Sequence, residues 1–309
     1  MITIQQNDRS LTACMHEAID TAQKEWRQIL RASWPAVLVM TIFATTTLLF
    51  RLPNKSLHDW GLTAPTASFI IQTIVYTGTI LAAFFYEASV FHLFRSGSRR
   101  ATLWRTTKMM VLTLTLTGVI FFLAFWGFKE SSIFLVNHIQ QPAAIIIISG
   151  VAIVLLAVVL FLIVPFSYVY TRYILDNQVK LKNYWSLWRT GLRRWGLLFI
   201  AWILVTLLLT VTTALTFLPA NILITAQTIS QLGALDGDSL GTPAYFPIFV
   251  IVFSAIAFFC FFYLAMIAHF FLFNLTAAID AHEKGKREMT EAEKEEVEEE
   301  KIELENIKI

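Results

Sequence analysis

Six stretches of the chain run almost without charge, at about Pro35–Phe50, Ala67–Tyr86, Met109–Phe128, Ala143–Tyr170, Gly196–Pro219 and Phe246–Phe273. Polar residues crowd the segments between them. A helix needs roughly 20 apolar residues to cross the hydrocarbon core of a bilayer. The first window is the shortest; the others reach that length or exceed it. Apolar residues are continuous in each window rather than alternating, which selects helices over the strands of a barrel. A helix also closes its own backbone hydrogen bonds, as lipid demands. The pattern predicts an all-α integral membrane protein with six transmembrane helices.

The approaches to the odd-numbered windows resemble one another. Leu103-Trp104-Arg105-Thr106 precedes the third window, Leu187-Trp188-Arg189-Thr190 the fifth, and Glu25-Trp26-Arg27-Gln28 the first. The tryptophans stand 78 and 84 residues apart, and Arg31, Lys108 and Arg193 follow them. This spacing predicts three hairpin repeats, each preceded by an amphipathic interfacial helix. In the first such segment Leu11, Met15, Ile19, Ala22 and Trp26 recur every three to four residues, away from Glu17, Asp20, Lys24 and Arg27. That is the stripe of a surface helix. Asn7, Asp8 or Ser10 would cap it, and Pro35 would mark its turn into the first span. In the third segment Tyr184, Trp185, Trp188, Leu192 and Trp195 form an aromatic face beside Lys182, Arg189 and Arg193. Such helices lie at the headgroup level with cations toward anionic lipid. The candidate headgroup contacts are therefore Trp26, Arg27, Trp104, Arg105, Trp188, Arg189 and Arg193.

Composition sharpens the class. Charged residues make up 15% of the chain and hydrophobic ones 56%, against roughly 25% charge in a soluble domain. Arg95–Lys108 carries five basic residues and no acid, and Arg172–Arg194 carries six against Asp176 alone. The opposite loops hold little: Arg51 and Lys55, then Lys129, then no Lys or Arg between Arg194 and Lys284. The positive-inside rule puts the basic loops, and with six spans both termini, in the cytoplasm of a cell whose inner membrane holds the protein. No early apolar core precedes Asp8, Glu17, Asp20 and Glu25, so the first span is expected to act as an uncleaved insertion signal. Cys14 and Cys260 lack a CxxC neighbour, which argues against redox or zinc chemistry. Lys284–Ile309 holds ten Glu and six Lys or Arg, an acidic, solvated helical tail with a protein partner as its sharper reading. The expected organisation is an amphipathic N-terminal segment over 1–34, a six-span domain over 35–283 and the tail over 284–309.

Intramembrane ionisable residues are functional candidates by default. Here they gather at the basic ends of the even-numbered windows: Glu87, with His92 beyond it, Arg172 and His269. Convergence of the hairpins would make these four a polar vestibule, able to hold an anionic headgroup or relay a proton. Thr113 with Thr117, and Thr206 with Thr210 and Thr213, are expected to glue helices together, and Pro165 to kink the fourth span. No HExxH, GxSxG, Walker or GxGxxG motif is present. Asp236 and Asp238 begin like a calcium loop but lack its remaining ligands. No cofactor or nucleic acid is expected, because the basic clusters abut membrane windows and meet lipid phosphate first. The leading expectation is a non-enzymatic membrane component that organises lipid or a partner protein. The alternative is a small transporter or lipid-handling carrier using the vestibule.

Over most of Cys14–His282, the Trp26-Arg27, Trp104-Arg105 and Trp188-Arg189 pairs and their spacing resemble six-span bacterial inner-membrane families. These are related to the membrane region attached to some glycerophosphodiester phosphodiesterases. The resemblance implies the three-hairpin fold. It does not imply the phosphodiesterase activity, whose soluble domain is not found in this sequence.

Overall fold

The computed structural model describes residues 10–51, 65–95, 97–138, 141–235, 243 and 245–307. Among these, eight α-helices and one 3-10 turn follow in order, with no strand: α1 (Leu11–Lys24), α2 (Trp26–Arg51), α3 (Pro65–Phe94), α4 (Arg99–His138), α5 (Gln141–Leu175), the turn Leu181–Asn183, α6 (Tyr184–Arg193), α7 (Trp195–Leu235) and α8 (Phe246–Ile307). Six of them, α2, α3, α4, α5, α7 and α8, are long and apolar enough to cross a membrane. The most extensive pairings are α2 with α3, α7 with α8, and α4 with α5. Consecutive long helices thus form three hairpins. Contacts of α3 with α4, α5 with α7, and α2 with α8 join them.

Where the helices break is not where the polar pattern placed the boundaries. The first break falls at Glu25, whose φ of −102° and ψ of 16° leave the helical region. Pro35, ten residues on, lies inside α2. The basic segment before the third span is not a separate helix but the first turns of α4. The third segment is a distinct helix, α6, which ends at Arg193 with Arg194 as its C-cap. The three Trp-Arg pairs consequently occupy different local settings: the first turn of α2, the second turn of α4, and the middle of α6. The acidic tail is continuous with the sixth span, since α8 runs through Lys284 to Ile307. Ser10 caps α1, accepting from the Ala13 amide at 3.3 Å. Asn7 and Asp8, the other cap candidates, lie outside the described residues, as do Asp236 and Asp238.

The core sits at one end. Buried residues of α3 run from Ala82 to Phe94, those of α4 from Thr102 to Met109, and those of α5 from Val159 to Ile174. All lie in the helix halves next to the basic connectors. Phe91, Phe270, Phe271 and Phe273 are at most 1% exposed, and Phe91, Phe94, Phe270 and Phe273 pack with ring centroids 4.7 to 6.4 Å apart. Offset and edge-on aromatic pairs of this kind add about 0.5–1.5 kcal/mol beyond the area they bury. The far halves of α3, α4 and α5 leave Phe69, Phe122, Phe125 and Ile146 largely exposed. In water this surface would be unfavourable; in hydrocarbon the surrounding lipid is as apolar as the side chains.

Helix α1 turns its apolar stripe toward protein. Cys14 and Ala18 are fully buried, Leu11, Met15 and Ala22 pack on the same core, and α1 lies chiefly along α8. The threonines also behave differently from the expected glue. Thr206, Thr210 and Thr213 are exposed, and Thr210 and Thr213 donate to carbonyls of their own helix at 2.8 and 2.7 Å. The cross-helix pair is instead Thr47 with Thr79, 2.9 Å apart. Helix α5 continues through Pro165, whose ring carbons and carbonyl face Gly191 of α6.

Candidate functional site

The basic end holds a layer of ionisable side chains between the aromatic core and the connectors. Glu87 projects from α3 toward α8, because Tyr86, one residue earlier, fixes the register of the two helices. The Tyr86 hydroxyl donates to the Phe262 carbonyl at 2.7 Å. Glu87 Oε1 then meets His269 Nε2 at 2.9 Å, with the two side chains 19% and 23% exposed. His269 Nδ1 lies 3.0 Å from the Ala265 carbonyl. A carbonyl only accepts, so Nδ1 carries a proton. One further proton is shared between Nε2 and Oε1: the pair is imidazolium–carboxylate or imidazole–carboxylic acid, neutral overall in either form. Glu87 Oε2 is buried with no hydrogen-bond partner, and the Tyr170 side chain of α5 approaches the same carboxylate. Two members of the expected vestibule are therefore brought together.

Arg172 is not brought to them. It pairs with Asp280, three turns further along α8 than His269, and more distantly with Asp176 at 3.7 Å. Tyr168 donates to the same Asp280 at 2.6 Å. Next along α8, Glu283 accepts from Arg194 Nε and Nη2 at 3.0 and 2.8 Å. A spacing of 11 residues is nearly three full helical turns, so His269 and Asp280 share one face of α8. That spacing was the available signal for Asp280, which sequence reasoning passed over because it lies beyond the apolar window.

His92 points elsewhere. It lines a recess of about 180 Å³ with Arg99, Arg100, Ser89 and the apolar side chains of α2, α3 and Leu103. Its Nδ1 is buried without a partner. The four vestibule candidates thus divide among three places.

The candidate headgroup contacts also divide. Arg105 faces inward: its guanidinium lies 4.2 Å from the Tyr173 ring centroid, and its Nε and Nη2 donate at 2.7 Å to the carbonyls of Tyr173 and Asp176. Those are terminal carbonyls of α5 and its exit turn, which no amide of the helix can satisfy. Asp176 closes that turn by accepting from the Gln178 amide at 2.9 Å. Beside it, Arg95 is 8% exposed and donates to Asn177. Burial, then the nearby Arg105 charge, lower its pKa. Trp188 stacks on Trp185 at 4.8 Å and directs its indole N–H toward the Leu162 carbonyl. Trp26 and Trp104 are more than half exposed, with Arg27 and Lys108 over their rings at 5.6 and 4.9 Å. Arg189 and Arg193 are exposed. Among the described residues no group of three His, Cys, Asp or Glu is placed to hold a metal ion.

Comparison with protein-family models, with curated proteins and with solved structures finds no match to this chain.

Proposed function

We propose that this protein is a multi-pass component of a cytoplasmic membrane, with its basic end and both termini on the cytoplasmic side, and that it acts as a non-enzymatic scaffold on anionic lipid. The observation that carries the reading is how the basic end is built. Aromatic side chains pack the centre of that end, where α3 meets α8, and the Arg172–Asp280 and Arg194–Glu283 pairs cross-brace it. A packed and braced floor of this kind suits a rigid platform better than a passage. Exposed cations, among them Arg27, Lys108, Lys182, Arg189 and Arg193, sit on the outside of that floor, in the same segments as the exposed Trp26, Trp104 and Trp185. Tryptophan at the interface and cations above it favour anionic headgroups. The three-hairpin repeat, α6 as an interfacial helix, and kinship with the six-span bacterial families belong to the same reading and rest on the Trp-Arg pairs and the hairpin pairing. The acidic end of α8 is the surface suited to a protein partner.

Spin-labelled phosphatidylglycerol and phosphatidylcholine in mixed bilayers test the lipid reading. The annular preference for phosphatidylglycerol should fall about twofold or more in an Arg189→Glu, Arg193→Glu variant. An unchanged preference would sink the proposal.

A proton-coupled carrier is the second reading, favoured by Glu87 Oε2, a buried carboxylate oxygen without a partner beside a proton-bearing His269. Glu87→Gln would abolish the pH dependence of transport in that case. In a scaffold it would alter thermal stability alone.

A further inference from the structure

The connector between α3 and α4 concentrates positive charge that no ion pair among the described residues compensates. His92, Arg95, Arg99 and Arg100 fall within nine residues, with no acid from Arg95 to Lys108. Elsewhere at this end the buried or half-buried arginines have answers: Arg172 and Arg194 meet carboxylates, and Arg105 meets backbone carbonyls. Arg95 has only the neutral amide of Asn177, and its Nη1 is buried without a partner. Arg95 and Arg99 both lie within electrostatic range of His92. The first turn of α4, where Arg99 and Arg100 sit, adds the positive end of a helix dipole. A buried guanidinium without a counter-charge is costly, and His92, which lines the neighbouring recess with Arg99 and Arg100, has its Nδ1 buried without a partner, so this cluster is a place for an anion.

Beside the cluster is the recess to receive one. The small residues Ala32, Ala36 and Ala88, with Pro35, leave room between α2 and α3 at this end. What remains is about 180 Å³, with His92, Arg99, Arg100 and Ser89 on its lining and no carboxylate among its lining residues. Phe85 and Leu103 complete the lining and are themselves 42% and 38% exposed, so the recess opens onto the apolar outer face of α3. Its volume accommodates a phosphate and part of a glycerol but not acyl chains, which would leave past Phe85 along Leu81.

We propose that this recess between α2, α3 and α4 is a specific site for one anionic glycerophospholipid, its phosphate held by Arg99, Arg100 and His92. The site rests on the reading that the basic end faces an anionic leaflet. It differs from the annular preference assigned to Arg189 and Arg193 in being a single retained molecule.

Native mass spectrometry of the full chain in detergent, titrated with phosphatidylglycerol, phosphatidylcholine or inorganic phosphate, tests it. One phosphatidylglycerol should survive activation that strips the others. Its affinity should fall about tenfold or more in an Arg99→Gln, Arg100→Gln variant. Ala32→Leu, which narrows the recess without touching a charge, should displace the same molecule, so that loss of either variant to misfolding leaves a second measurement. Arg189→Glu, Arg193→Glu should leave it bound. Retention of the lipid by the Arg99, Arg100 variant overturns the site even where the annular preference persists. Equal retention of phosphatidylcholine, or competition by inorganic phosphate at the lipid's own concentration, overturns it as well. An annular preference left unchanged by Arg189→Glu, Arg193→Glu, with the single lipid still held and still dependent on Arg99 and Arg100, overturns the scaffold reading and leaves the site.

Discussion

Single side chains at the basic end do work that their sequence neighbourhood does not announce. Arg105 looks like a headgroup contact beside Trp104, yet it caps the end of α5. Replacing it with Ala leaves those carbonyls without donors, at a cost of about 1–3 kcal/mol. We expect a lower unfolding temperature for Arg105→Ala and little rescue by Arg105→Lys, because an ammonium cannot spread its donors over several carbonyls. Thermal scans in one detergent check both. The Arg172–Asp280 pair behaves by the same logic with opposite charges. Asp280→Asn strands a half-buried guanidinium, and a double-mutant cycle with Arg172→Gln should show positive coupling; additive losses would mean that the pair is idle. Tyr184 gives a pH signature outside the spans. Its hydroxyl is buried without a partner and burial pushes its pKa up to about 12. The unfolded chain ionises near 10. The stabilisation from keeping this phenol neutral is therefore complete below pH 10 and is lost as pH rises toward 12. Ultraviolet titration of Tyr184→Phe against the parent should show one late-titrating phenol missing.

At the scale of elements, close approach decides which helices can pair. A Cβ on Gly78 would overlap the Phe43 ring, so α2 and α3 meet through the absence of a side chain. Gly78→Val should loosen the first hairpin by about 1–3 kcal/mol, the usual cost of overpacking, and increase protease cleavage between the two helices. Gly191 plays the matching part for α6, where a Cβ would stand 3.2 Å from Pro165. Neither glycine belongs to a GxxxG pair, which is why the sequence pattern did not mark them. The spans themselves were legible, since length and unbroken apolarity are properties of each segment alone. The breaks were not. Pro35 reads as a boundary and is helical, because α2 extends to Trp26 and sets its early turns, through Ile29 and Ser33, into the core. Glu25, with no special propensity, is the break. The stripe of α1 was legible as amphipathic, but its partner was not: the same stripe fits an interface or the flank of α8.

For the whole molecule the testable claim is its sidedness. Cys14 is fully buried and Cys260 lies in the apolar part of α8, so the background of thiol labelling by a polar reagent should be low. Lys182→Cys should react with a membrane-impermeant maleimide only once the cytoplasmic face is opened; reaction in intact cells would invert the molecule. The chain by itself determined six long apolar helices and the asymmetric charge of the segments that join them, because hydropathy and Lys and Arg counts are local sums that need no partner. It also put Glu87 and His269 at the basic ends of two apolar windows. Only the tertiary structure decided that those two meet while Arg172 goes to Asp280, that Arg105 turns inward while Arg189 stays out, and that the core gathers at the basic end. Each of these depends on the rotation and stagger of one helix against another, and a rotation of a third of a turn exchanges every partner without altering a single residue of the pattern.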